Sequence, residues 1–438
     1  MPIAHTTRRA RLSYVCSAAL LALAACGGAG DPVMPFKTLD NLKPLVIAHR
    51  GASGALPEET LEAYARAIDF GADVVEPDLI STKDGVLIAR HDPNLDFSTD
   101  VAKRPEFASR KKTTQVDGET QTGWFASDFT LAEIKTLGAT ITTDATRDKS
   151  NDGKFKVITF QELVDLVKLR SAQLGRTIAV YPETKNPSYH RALGLPLEDK
   201  LIAIITAAGW NNKASPVYVQ SFEPSSLKQM KAKGLQAKLI QLIDADDYDL
   251  KTGKLTFAAP YDRPYDWFLT GDTRLFSAMV TPAGLAEIKQ YADGIGPWKP
   301  YIVPIKGTLD AAGNLRDMNG DGKVDYADAS TQAPTTLIDD AHKAGADVPI
   351  VAGIMPITNY MQLMRFSDMC GAEIPRWIRT KLAGYGDDTA AIRAFGLDVV
   401  TGLCERLLAG GAPGLHFYSL NQATATLEIC RRLGQTPT

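Results

Sequence analysis

The sequence has no cysteine between Cys26 and Cys370. A disulfide framework for the body of the chain is therefore excluded, and at 438 residues it is long enough to rest on a buried core instead. Neither charge sign dominates. The 48 Lys and Arg face 51 Asp and Glu, a formal net charge of -3, so no broad basic surface is expected and nucleic acid is not an expected partner. Internal repeats are missing, as are low-complexity tracts beyond the first residues. The apolar stretch at residues 15–25 is too short to cross a bilayer as a stable anchor. What remains is an ordinary globular composition, 45% hydrophobic and 23% charged, and it suits a soluble enzyme.

Arg8, Arg9 and Arg11 precede that apolar stretch, which ends in Leu23-Ala24-Ala25-Cys26 and runs into Gly27, Gly28, Ala29 and Gly30. The arrangement reads as an export signal and resembles the bacterial lipoprotein box, in which the cysteine is lipidated and the preceding chain removed. The resemblance implies a signal peptide over 1–25 and acyl chains on Cys26. It also implies a flexible tether over 26–43 and a periplasmic, membrane-anchored enzyme. An ordinary secretory signal with a chance cysteine is the alternative. Cys370, Cys404 and Cys430 crowd the far end, which suggests a separate, cytosolic history for the tail.

From residue 44 onward, strand and helix patterns alternate. Leu45-Val46-Ile47-Ala48 is a short apolar run of the kind that makes a fully buried parallel strand. Residues 59–70 carry helical spacing, with Leu61, Tyr64, Ala65 and Ile68 on one face. Residues 73–79 form a second strand and 86–89 a hairpin arm leading to His91. The polar stretch 98–152 reads as a surface insertion. An amphipathic helix is expected over 160–174, and further strands over 177–181, 216–220, 236–242 and 291–296. Such alternation implies a parallel sheet, and six units point to an α/β fold of the (β/α)8 barrel type rather than an open sheet.

The chemistry-bearing residues fall at the ends of these strands. Carboxylate oxygens hold a hard divalent cation best, and such a cation can neutralise the charge of an anionic substrate. Glu76 and Asp78 lie two apart on one strand and so share a face. Buried side by side they are costly unless a cation sits between them. Glu183, ending the third strand, adds a third candidate ligand. His49 and His91 follow the first and second strands and suit acid–base work near neutral pH. Arg50 and Lys185 are candidates for phosphate oxygens, and Gln220 is a further substrate contact. A lone strand-end histidine is usually structural and a lone Glu-x-Asp usually a solvated edge. The convergence of all these residues on strand ends favours the functional reading.

Residues 44 to about 345 resemble the bacterial glycerophosphodiester phosphodiesterase family, particularly its periplasmic branch. The matching stretches are AHRGASGALPEETLEAY, GADVVEPDLISTKDGVLIARHDPNLD, TDVA, VYPETKNP, VYVQSFEP and YADGIGP. The resemblance implies a barrel with bound calcium or magnesium held by Glu76, Asp78 and Glu183. It implies that His49 and His91 form the acid–base pair and that Arg50 contacts phosphate. The substrate would be a small glycerophosphodiester, split into glycerol 3-phosphate and an alcohol; no protein partner is implied. The family's usual Pro-Glu-His-Thr reads Pro57-Glu58-Glu59-Thr60 here, which alters one loop contact.

Near residue 345 the character changes. Lys381 is the only lysine after Lys343, against seven arginines. Residues 346–434 resemble the C-terminal part of methylenetetrahydrofolate reductase through VPIVAGIMPITNYMQLMRFSDMCGAEIPRWI, GDDTAAIRAFGLDVVTGLCERLL and GAPGLHFYSLNQATATLEICRRLG. That enzyme is also a barrel, but the parts carrying most of its flavin-binding and catalytic residues have no counterpart here. Strand candidates at 349–354 and 414–420 bring the total to eight. The expected architecture is therefore a hybrid barrel: 44–345 from one family and 346–438 from another. An inactive or poorly folded fusion, or a remnant folate- or flavin-binding module, are the alternatives.

One more metal candidate lies at residues 317–328. Asp317, Asn319, Asp321, Asp325 and Asp328 occupy calcium-loop positions 1, 3, 5, 9 and 12, with Gly322 at position 6. A polar, turn-rich insertion is the alternative. His190 and His342 read as solvated, and His416 as packed on a tail strand. Trp124, Trp210, Trp267 and Trp298 suit either a substrate groove or packing. Ser221 lacks the glycine-flanked elbow of a nucleophilic serine.

Overall fold

The computed structural model describes residues 45–141, 147–302, 304–310, 312–317, 329–331, 337, 352–354, 357, 376–386, 388–409, 414–417 and 423–434. Cys26, His342, Cys370 and the calcium-loop candidate beyond Asp317 lie outside the described residues.

Eight parallel strand positions follow one another around the fold. Leu45–His49 is the first. The second is split by Pro77 into Val74–Glu76 and Asp78–Ser81, and the third into Ala179–Val180 and Glu183–Thr184. Tyr218–Ser221, Lys238–Ile243 and Gly294–Pro297 are the fourth, fifth and sixth. The tail supplies Ala352–Ile354 and Gly414–Phe417 as the seventh and eighth. Each position pairs in parallel with the next from the first to the sixth, and the seventh with the eighth. The eighth then pairs with the first: Leu45, Val46 and Ile47 lie opposite Gly414, Leu415 and His416. Among the described residues no pairing joins the sixth to the seventh. The expected hybrid α/β barrel is the observed order of strands.

Local chemistry explains the element ends. Thr60 caps the helix Leu61–Asp69, its side chain accepting from the Ala63 amide. A Thr159–Glu162 capping box starts the helix Phe160–Leu174, and Gly175 ends it in the left-handed conformation. Leu87–Ala89 is antiparallel to the second strand, as a hairpin arm should be. The insertion that follows is more than a surface loop. Phe107, Trp124, Phe129, Ile134 and Leu137 build their own apolar cluster on Ile80 and Ile88, and Lys112–Val116 and Glu119–Gly123 form a hairpin.

The main core gathers residues from the first six units, including Tyr64, Val75, Leu79, Phe160, Val219 and Leu239. A second cluster belongs to the tail: Ile357, Ile378, Leu382, Ile392, Val400, Cys404, Leu408, Leu415, Ile429, Cys430 and Leu433, joined from the body by Val46. Trp124, Trp210, Trp267 and Trp298 are packed against apolar clusters. Trp124 is buried and donates from its indole to the Phe107 carbonyl; Trp210, Trp267 and Trp298 join the main core.

Candidate active site and metal centre

The first strand ends in a turn that only glycine allows. Gly51 has φ of 82°, and a Cβ there would meet the Ala63 carbonyl carbon at 2.8 Å. The preceding Arg50 is itself left-handed, φ 57°. This turn aims His49 and Arg50 across the mouth of the barrel. The Arg50 amide donates to the Glu76 carbonyl oxygen at 2.8 Å and to its side-chain Oε2 at 3.2 Å, so the first strand end is fastened to the second.

Glu76 and Asp78 flank Pro77 and are buried, at 1% and 0% exposure. Gln220 donates its amide to Glu76 Oε1 at 2.8 Å. Arg50 Nε lies 2.8 Å from Asp78 Oδ2, an ion pair too bent to be a hydrogen bond, since neither oxygen of Asp78 accepts one. Arg50 also reaches Glu58 at 3.3 Å. On the third strand, Lys185 Nζ sits 2.9 Å from Glu183 Oε1. His49 Nε2 lies 3.9 Å from Glu76 Oε2, and His91 Nδ1 lies 3.1 Å from Asp92 Oδ1. The Asp92 contact orients the His91 ring.

The electrostatics follow from this crowding. Burial first, then the charges of Asp78, Glu59 and Glu183, push the Glu76 carboxyl well above the usual carboxylate range. Burial also raises Glu183, against the pull of Lys185. Asp78 goes the other way: burial would raise it, but Arg50, Lys185, His91 and His49 together hold it below its usual range.

His49, Glu76 and Asp78 each offer a ligand atom, all within 4.8 Å of one another, and no other such group occurs among the described residues. The two oxygens of Asp78 without hydrogen bonds fit a cation, because buried carboxylate lone pairs are otherwise costly to leave unmet. The mouth thus brings together His49, Arg50, Glu76, Asp78 and Gln220 by direct contacts. Glu183 and Lys185 stand as an ion pair whose charges act on Asp78, and His91 acts on Asp78 and Glu183. Glu183 lies outside the compact three-residue group. Sequence reasoning missed Glu59 and Arg90, both 0% exposed beneath the site. The altered Pro-Glu-Glu-Thr stretch was the only signal for Glu59. His190 departs from expectation: it is fully buried on the helix Pro187–Ala192, and burial lowers it to about 3.

Fold and site together define an α/β barrel whose strand ends carry a carboxylate–histidine group able to hold a metal ion. Residues 49–348 match the glycerophosphoryl diester phosphodiesterase family, and the chain belongs to that family. Glycerophosphodiester phosphodiesterase GDPD6 of Arabidopsis thaliana is 39% identical over 282 residues, covering 61% of this chain and 69% of that protein. The glycerophosphodiester phosphodiesterase of Haemophilus influenzae is 33% identical, over 58% of this chain and 68% of that one. Among solved structures, a glycerophosphodiester phosphodiesterase from Agrobacterium tumefaciens aligns with a TM-score of 0.40 and 16% identity, over 76% of this chain and 94% of that one. Residues 332–434 match methylenetetrahydrofolate reductase. A probable methylenetetrahydrofolate reductase (NADH) of Oryza sativa is 37% identical over 98 residues, which is 22% of this chain and 16% of that protein.

Proposed function

We propose that the chain hydrolyses glycerophosphodiesters to glycerol 3-phosphate and an alcohol. The observation that carries this reading is the buried Glu76–Asp78 pair facing His49 at the barrel mouth, in a chain of this family. Glu76, Asp78 and Glu183 are the proposed cation ligands, with calcium or magnesium as the ion. When bound, such a cation neutralises phosphate charge and polarises the scissile bond. Arg50 and Lys185 contact phosphate oxygens, and Gln220 fixes the orientation of Glu76. His49 and His91 divide the proton work: one takes a proton as the attacking oxygen closes on phosphorus, the other gives a proton to the leaving alkoxide.

The compact grouping of His49 with Glu76 and Asp78 favours a second assignment, in which His49 is a ligand and Glu183 stays with Lys185. Cation affinity decides between them: it falls in Glu183→Gln under the first and in His49→Ala under the second.

The sequence before residue 44 supports export and lipidation of Cys26, which would place the enzyme in the periplasm on a membrane anchor. Labelled palmitate should enter the wild type and not Cys26→Ala. A calcium loop at 317–328 is a further proposal, resting on its spacing.

The deciding assay is release of glycerol 3-phosphate from glycerophosphocholine by the full chain, after chelation and after returning calcium or magnesium. Release that requires the cation is expected. Release unchanged by EDTA would overturn the metal role, and no release from a folded chain would overturn the activity.

A further inference from the structure

Beneath the proposed cation ligands lies a buried acid that the reaction does not use. Glu59 is 0% exposed and sits in the left-handed region, φ 60°. That conformation is uncommon for a residue with a side chain and persists where its surroundings fix it. Its main-chain amide donates to the Arg50 carbonyl at 3.1 Å. Its side-chain Oε1 accepts the Asp78 amide at 2.8 Å, and its Oε2 accepts the Tyr64 hydroxyl. Tyr64 Oη also lies 3.3 Å from the Glu76 carbonyl oxygen. Glu59, braced by Tyr64, therefore holds the Asp78 side of Pro77, the residue that interrupts the second strand, while Tyr64 lies against the Glu76 side.

The choice of residue is costly for folding. A third carboxyl set beside Glu76 and Asp78 adds to their repulsion in a medium that screens poorly. Arg90 offsets part of this: it is fully buried, its charge acts on Glu59, and its guanidinium donates to the Glu58 carbonyl at 2.7 Å. Arg90 is also tied through its own amide to the Asp78 carbonyl at 2.8 Å.

We propose that Glu59 and Tyr64 are positioning residues that clamp the Glu76-Pro77-Asp78 segment in the conformation that binds the cation. The clamp rests on the cation reading of the site. It acts through the backbone of the ligands, so Glu59 is not itself a ligand.

The test is calorimetric titration of calcium and magnesium into the full chain and its variants, each checked for cooperative melting in EDTA. Glu59→Ala should weaken cation binding about 10- to 100-fold, the usual range for residues that orient metal ligands. Glu59→Gln keeps an acceptor for the Asp78 amide and should lose less than the roughly 10-fold lower end of that range. The activating cation concentration for Glu59→Ala should rise in step, with turnover recovering at excess cation. A folded Glu59→Ala with wild-type affinity would overturn the clamp. If that variant does not fold, Tyr64→Phe serves instead, and unchanged affinity there overturns it equally. Wild-type protein that binds neither ion would sink the cation site itself, and the clamp with it.

Discussion

Among the described residues, the body and the tail of this barrel share a strand ladder but largely separate apolar clusters. Three residue pairs join the first strand to the eighth, yet among the described residues Val46 is the one body residue in the tail's apolar cluster. Leu337, in the stretch where the two family matches overlap, is the one described residue beyond 317 in the body's main core. Strand hydrogen bonds do not depend on side-chain identity, so a foreign strand can complete a sheet whose edge is open. Core packing does depend on it, because interiors are filled to near-crystalline density and tolerate few mismatches. The tail therefore brings its own core and shares the barrel's ladder. Every described residue of the candidate site comes from the body.

That contrast can be broken at three points. The largest effect is expected at the site. His49→Ala should lower turnover about 100- to 10,000-fold with a nearly unchanged melting temperature, since His49 is partly exposed at a strand end. A matching loss of stability would mean that the mouth also holds the barrel together. Next is the seam. Leu415 is 0% exposed in the tail cluster, and Leu415→Ala should cost about 2–5 kcal/mol of stability, read by denaturant unfolding. Cation affinity should stay at the wild-type level. A parallel loss of cation affinity would show that the two cores are coupled more tightly than their contacts imply.

The smallest effect concerns Glu223, buried at the cap of the fourth unit, where Ser188 donates to it from its amide at 3.2 Å and from its hydroxyl. Burial, then the charge of Asp117, pushes it from 4.5 up to about 8. Between those values the folded chain keeps a proton that the unfolded chain has lost. Its contribution to stability is therefore full below pH 4.5 and declines as pH rises to about 8. Glu223→Gln should flatten this decline, a relative gain on the order of 2–4 kcal/mol at pH 8. Urea melts at pH 5 and pH 8 measure it, and a wild-type slope in the variant would refute the assignment.

Much of the architecture was legible because the strands are buried on both faces and read as short apolar runs. The helix at 160–174 was found to the residue, since its capping box and terminal glycine are written locally. The strand-end acids and histidines were legible for the same reason: spacing fixed their place. What sequence hid were interactions between distant residues. The altered Pro57-Glu58-Glu59-Thr60 stretch marks a changed loop contact but not that Glu59 accepts the Asp78 amide, and no spacing shows that Gln220 reaches Glu76. His190 lies on a short helix of mixed character, and only the packed structure reveals its burial. The polar insertion concealed a small core because its apolar residues are scattered among charges and have no regular period.

The direction of the first strand also sets how this molecule can be held. It runs from Leu45 toward His49, so the chain enters the barrel at the end opposite the mouth. A lipid, a linker or a solid support attached ahead of residue 45 would join the barrel at the end away from the mouth. Attachment from that end leaves the strand ends that carry His49, Glu76 and Asp78 unobstructed by the link itself.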